Sequence, residues 1–286
     1  MIAHPRGRID YEVAGAGPTL VLVPGSCSTG AAWRPVMAAW DGRFRCVTTS
    51  LLGYGGTAER RTAQDPSIWH EADVVEEVAR AAGEPVHLIG HSFGGLASLA
   101  VALRNRVRLK SLVVIEAPAA ELLRQNGDHA HYRAFREMTQ GYFVAHAAGD
   151  AQAIAAMIDF YGGAGTFASW PARVRDYAVA TTAVNILDWA SGYGFALSPA
   201  ALADVEIPVL ILWGGKSHPA VRHANALLAA SMKHAIGTKL EGAAHFMIAT
   251  HPNRVARLVA DHVLAAEAEP RRRPVQRAGL ENARGI

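Results

Sequence analysis

Cysteine is scarce: Cys27 and Cys46 are the only two in 286 residues. That is too few for a disulfide framework, and the pair lacks the spacing of a metal-binding set. Each is expected to sit buried as a small hydrophobe. Long apolar runs are missing as well. None approaches the ~20 residues a membrane-spanning helix needs, although half of the chain is hydrophobic. The first residues, Met1 to Glu12, are polar and carry no apolar segment of the kind that opens a secretion signal. No membrane partner is therefore expected, and the cytoplasm is the expected compartment.

Charge is sparse too, and poorly placed for nucleic acid. Residues 270–286 hold five arginines against Glu281, a balance of +4; taken from the chain total of +3, this leaves −1 for everything before it. A near-neutral body offers no basic face to track phosphates, which excludes a nucleic-acid partner. The tail also carries Pro270 and Pro274 and little apolar material, so a disordered basic appendage is predicted over 267–286.

What the chain does contain is an alternation of short β-branched runs with longer helical patterns. This predicts an α/β fold, a mostly parallel sheet with helices on both faces. A hairpin is expected from Ile9–Val13 and Thr19–Val23, followed by a turn at Pro24-Gly25 and a helix carrying Trp33, Met37 and Trp40. Arg45–Thr49, Val86–Gly90, Leu112–Ile115, Pro208–Trp213 and Thr238–Leu240 read as further strands. Helices are predicted up to Gly83, over Phe93–Arg104, over Val221–Met232 and over Asn253–Leu264. Between Pro118 and Ile207 the strand pattern vanishes, and breaks at Gly141, Gly149, Gly162-Gly163, Pro171 and Gly192 divide several helices. The expected organisation is a core of residues 1–117 and 207–266 with an inserted helical cap, 118–206, over the strand ends.

The sharpest chemical signal is Gly90-His91-Ser92-Phe93-Gly94-Gly95, which follows an apolar strand and opens a helix. A serine on so tight a turn needs small neighbours two residues either side. Its hydroxyl then stands clear of the sheet, near helix N–H groups that can meet developing negative charge. With this motif, the loop Val23–Cys27, the turn Leu52–Gly55 and the segment Gly242–Phe246, the chain resembles the α/β-hydrolase superfamily over nearly all its length except the tail.

That resemblance makes Ser92 the nucleophile and His245 its base, since the family's imidazole lies in a loop before the last helix. The acid is a departure. Trp213-Gly214-Gly215-Lys216-Ser217-His218 puts Ser217 where most members carry aspartate, and a serine cannot balance an imidazolium. One strand earlier, Glu116 follows Leu112–Ile115, 24 residues after Ser92. It stands at the carboxyl edge of the sheet, where ligands of open α/β sheets bind. Some haloalkane dehalogenases, similar in fold and lid, place their acid after this same strand, so Glu116 is assigned as the acid. They and the epoxide hydrolases use aspartate as nucleophile, so Ser92 argues against both chemistries.

The Phe93 N–H is the expected first oxyanion donor. By resemblance the second is the N–H of Ser26, with Cys27 next in register. His91, beside Ser92, is expected in the pocket wall or the loop packing. The cap is rich in aromatics, among them Tyr161, in the Asp159–Gly165 bend, and Trp170; with Cys27 and His91 these are candidates for substrate contact. An apolar or aromatic small-molecule ester is the implied substrate. No arginine cluster marks a phosphate or coenzyme A site, and neither metal nor cofactor is expected. The implied reaction is ester hydrolysis through an acyl-enzyme, by a monomer or homodimer. Carbon–carbon bond hydrolysis, perhydrolysis, hydroxynitrile lysis and a non-catalytic ligand receptor remain alternatives on the same motifs.

Overall fold

A computed structural model describes residues 1–268. Seven strands form one sheet: β1 Glu12–Ala14, β2 Thr19–Val23, β3 Arg45–Thr48, β4 Val86–His91, β5 Leu109–Ile115, β6 Val209–Gly214 and β7 Ala235–Leu240. Their spatial order is β1-β3-β2-β4-β5-β6-β7, parallel throughout except for β1. The β-branched runs have two apolar faces because both are covered. Val21 and Val23 point into one buried cluster, Leu20 and Leu22 into the other, and Leu112/Val113 and Ile211/Leu212 divide the same way. At roughly 1.5–3 kcal/mol for each fully buried Val, Leu or Ile side chain, this double core dominates the fold's stability.

One face is covered by α1 Arg34–Trp40 and by the long helix that follows the last strand and packs against it. A 3₁₀ turn, Gly30–Trp33, leads into α1. The other face carries α2 Trp69–Ala82 and α3 Phe93–Arg104. After β5 comes the helical stretch: α4 Ala120–Gln125, α5 His129–Ala147, α6 Ile154–Gly162, α7 Thr166–Ser169, α8 Ala172–Ala180, α9 Thr182–Gly194 and α10 Pro199–Ala203. Then α11 Pro219–Ser231 follows β6, and α12 Met247–Thr250 and α13 Pro252–Ala268 follow β7. The Trp40 indole donates to the Ala256 carbonyl at 2.9 Å, fastening α1 to α13. Among the described residues no helix is long and apolar enough to cross a membrane.

Three expectations need correction. The N-terminal hairpin does not form: β1 pairs antiparallel with β3, because β2 is already flanked by parallel neighbours on both sides. Ile9 instead makes an isolated bridge to Ile2. Gly141 lies inside α5 and Gly192 inside α9, so neither breaks a helix. At Gly192 the helix α9 faces Leu96 of α3, 3.4 Å from where a Cβ would stand. Finally, Glu267 belongs to α13 and not to a tail. Its carboxylate accepts from His87 Nε2 at 2.9 Å and meets Lys110, which ties the last helix turn to the sheet. The rest of the expected tail, 269–286, lies outside the described residues.

Candidate active site

The chain runs from β2 outward to β3 and then returns to β4 on the other side of β2. That reversal leaves a crevice at the carboxyl ends of β2 and β4, the place where open α/β sheets bind ligands. Four loops converge there, after β2, β4, β5 and β7.

Ser92 links β4 directly to α3 with φ 55° and ψ −127°. A non-glycine residue in this region is strained and persists only when its surroundings hold it. The glycines explain how. A Cβ on Gly90 would sit 2.4 Å from the Gly94 carbonyl oxygen, and one on Gly94 would sit 2.2 Å from that of Pro24. Gly25 is equally constrained, with the Ser92 Cβ 2.8 Å from where its own would be. The β2 loop therefore rests on the serine turn with no room for side chains between them.

His245 follows β7, is 2% exposed, and brings Nε2 to 3.0 Å from the Ser92 Oγ. Its Nδ1 lies 2.8 Å from Glu116 Oε2. A carboxylate can only accept, so Nδ1 carries the proton and Nε2 turns a lone pair to the serine hydroxyl. Glu116, fully buried with φ 52°, has its other oxygen held by the Gly214 N–H and the Ser217 hydroxyl, each at 2.5 Å. Asn225 on α11 clamps the next residue, donating to the Ala117 carbonyl and accepting from its N–H. Ser217 was excluded as an acid from its chemistry alone, yet it stands against the carboxylate that occupies the neighbouring strand end.

The other expected residues lie around this relay. Phe93 opens α3, so its N–H has no acceptor within the helix. Among the described residues the Ser26 N–H also meets no protein acceptor. The Cys27 thiol is buried, and desolvation, with the charge of Asp188, pushes it up to about 12, far from a thiolate. His91 is buried and, through burial first and the neighbouring His245 second, pushed down to about 3. It is therefore a neutral ring whose Nε2 donates to the His245 carbonyl at 2.9 Å, steadying the loop that presents His245. Tyr161 lies over the His245 ring with centroids 4.2 Å apart, and Trp170 packs edge-on against Phe246. All of these line a cavity of about 410 Å³, walled mainly by apolar side chains such as Met157, Ile158, Trp189 and Ile248.

A second buried feature was not anticipated. Asp188, on α9, accepts from the Ser26 hydroxyl at 2.5 Å, from Tyr54 at 2.6 Å and from Arg61 at 2.7 Å. Helix α9 thereby grips the very loop that carries the Ser26 N–H. Arg61, fully buried, faces Glu59 and Glu71 as well. One guanidinium does not balance three carboxylates. Burial, foremost, and the charge of Asp188 push the Glu71 carboxyl up from 4.5 to about 7, against the pull of Arg61. A carboxyl raised on folding contributes stability that is complete below its unfolded value and is lost as pH climbs through the folded one. The wild-type melting temperature should therefore decline, through this group, between about pH 4.5 and 7. Glu71→Gln should flatten that decline in thermal melts across the range. Superimposable wild-type and variant profiles would exclude Glu71 as its source. No residue near Arg61 follows a recognisable motif, so only spatial proximity exposes this cluster.

A family model described as the alpha/beta hydrolase fold matches residues 18–260, and the chain belongs to this family. Among curated relatives, the pimeloyl-[acyl-carrier protein] methyl ester esterase of Aeromonas hydrophila is 34% identical over 107 residues, 37% of this chain and 41% of that protein. Haloalkane dehalogenase 2 of Mycobacterium tuberculosis is 34% identical over 110 residues, 38% of each chain. The matched part thus spans about two-fifths of either relative's length. The crystal structure of the enol-lactonase from Burkholderia xenovorans LB400 superposes with a TM-score of 0.70 over 90% of this chain and 96% of that one, at 19% identity. At that identity the likeness speaks for the fold alone.

Proposed function

We propose that the protein hydrolyses a small carboxylic ester, or a related acyl compound, through an acyl-enzyme on Ser92. The observation that carries this reading is the continuous relay from Ser92 Oγ through His245 to Glu116, at 3.0 and 2.8 Å, opening on an apolar cavity. His245 takes the hydroxyl proton as Ser92 attacks the acyl carbon, and Glu116 holds the imidazolium that forms. The Phe93 and Ser26 N–H groups receive the oxyanion. Such donors act only on charge that develops in the transition state, and each is worth on the order of 3 kcal/mol. His245 then returns its proton to the leaving alcohol. A water, deprotonated by the same ring, releases the acid and restores the serine.

The apolar lining favours an uncharged acyl or alcohol group, aliphatic or aromatic, over a phosphorylated or highly polar one. Of the two curated relatives, the Aeromonas hydrophila methyl ester esterase belongs to the same acyl-transfer class, whereas the dehalogenase does not. A panel of p-nitrophenyl esters of graded acyl length tests the reading. Turnover is expected for uncharged short and medium acyl chains, falling when a carboxylate is placed on the acyl group. A wild-type protein that turns over no ester in the panel would refute it.

A further inference from the structure

Outside the lining of the crevice cavity, three metal-ligating side chains converge. Asp128 caps the first turn of α5, and His131 stands one turn along the same cap helix. His223 comes from the core, on α11. Asp128 Oδ2 accepts from His131 Nδ1 at 2.8 Å and lies 3.1 Å from His223 Nε2. The two imidazoles stack with centroids 4.4 Å apart. One ligand atom from each residue falls within 4.8 Å of the others. The side chains are 18%, 32% and 53% exposed, so an ion can reach them from solvent.

We propose that Asp128, His131 and His223 bind a divalent transition-metal cation of the zinc type, joining cap helix α5 to core helix α11. Zinc takes imidazole nitrogen and carboxylate oxygen at about 2.0–2.2 Å. In a tetrahedral set, ligand atoms are then roughly 3.3 Å apart. The observed 2.8 and 3.1 Å separations from Asp128 must open by a few tenths of an ångström, and the two imidazole nitrogens, within 4.8 Å of each other, close toward the same value, movements open to partly exposed side chains. On binding, the ring hydrogens now directed at the carboxylate move to the far nitrogen of each imidazole, so that His131 Nδ1 and His223 Nε2 turn lone pairs to the cation. Two imidazoles and one carboxylate favour zinc, copper, nickel or cobalt over magnesium or calcium. Three protein ligands leave the remaining position to water. Because the ligands come from both parts of the chain, occupancy would resist separation of α5 from α11.

The test uses the full chain without an affinity tag, titrated calorimetrically with zinc chloride. One site of micromolar affinity is expected, with no binding of magnesium. His131→Gln and His223→Gln should each weaken it at least tenfold, while His146→Gln, near the far end of α5, should not. Saturating zinc should raise the melting temperature of the wild type by about 5 °C and that of either ligand variant by about half as much or less. Melting in EDTA checks that each variant folds; should one fail, the other decides, because loss of either donor is sufficient. Absence of a stoichiometric site in the wild type, or equal affinity in the wild type and a folded ligand variant, would overturn the proposal.

Discussion

His245→Ala is expected to lower kcat for p-nitrophenyl ester hydrolysis by about 10⁴- to 10⁶-fold while leaving KM within a few-fold. The size of the loss follows from the absence of a substitute. Among the described residues, His245 alone presents an imidazole nitrogen to Ser92, at 3.0 Å. The adjacent His91 has the right chemistry and the wrong geometry: its Nε2 is committed to the His245 carbonyl, and burial keeps its ring neutral. An unassisted serine hydroxyl is a poor nucleophile near neutral pH, so binding would survive and chemistry would not. Steady-state kinetics on a variant with an unchanged circular dichroism spectrum make the measurement. A loss below about tenfold would mean that another base acts.

Glu116→Gln comes next, with an expected fall in kcat of about 10²- to 10⁴-fold. Glutamine keeps the shape and loses the function twice. Its single carbonyl oxygen cannot accept both from His245 and from the Gly214 N–H and Ser217 hydroxyl pair. If the amide nitrogen faces His245, the ring must adopt the tautomer that turns an N–H, not a lone pair, toward Ser92. Ser217→Ala should cost far less, about tenfold at most, because the Gly214 N–H still holds the carboxylate. Parallel kinetics of the two variants distinguish their roles. Equal small effects would remove Glu116 from the mechanism.

These contrasts also mark how far the chain could be read before its fold was known. The central strands were legible because Val21–Val23, Leu112–Ile115 and Val209–Leu212 are buried on both faces, which leaves an unbroken apolar run. The serine turn was legible because steric exclusion forces glycine at positions 90 and 94. Glu116 could be singled out because it ends a strand and because Ser217 cannot be an acid. The pairing of β1 was not legible, since three exposed residues carry no signal for a partner more than thirty residues away. Gly141 and Gly192 misled because helix propensity is weak against packing. Ser26 and Asp188 are 162 positions apart, and nothing local in α9 announces that one of its acids faces inward. The donors around Glu116 and the anchor of the β2 loop were therefore invisible, as was the Asp128, His131 and His223 cluster.

The relay itself is tested most directly by a fluorophosphonate probe with its site mapped by mass spectrometry. The wild type is expected to take up one equivalent, on the peptide carrying Ser92, and Ser92→Ala to take up none. Adduct on any other residue, or equal labelling of both proteins, would contradict the account.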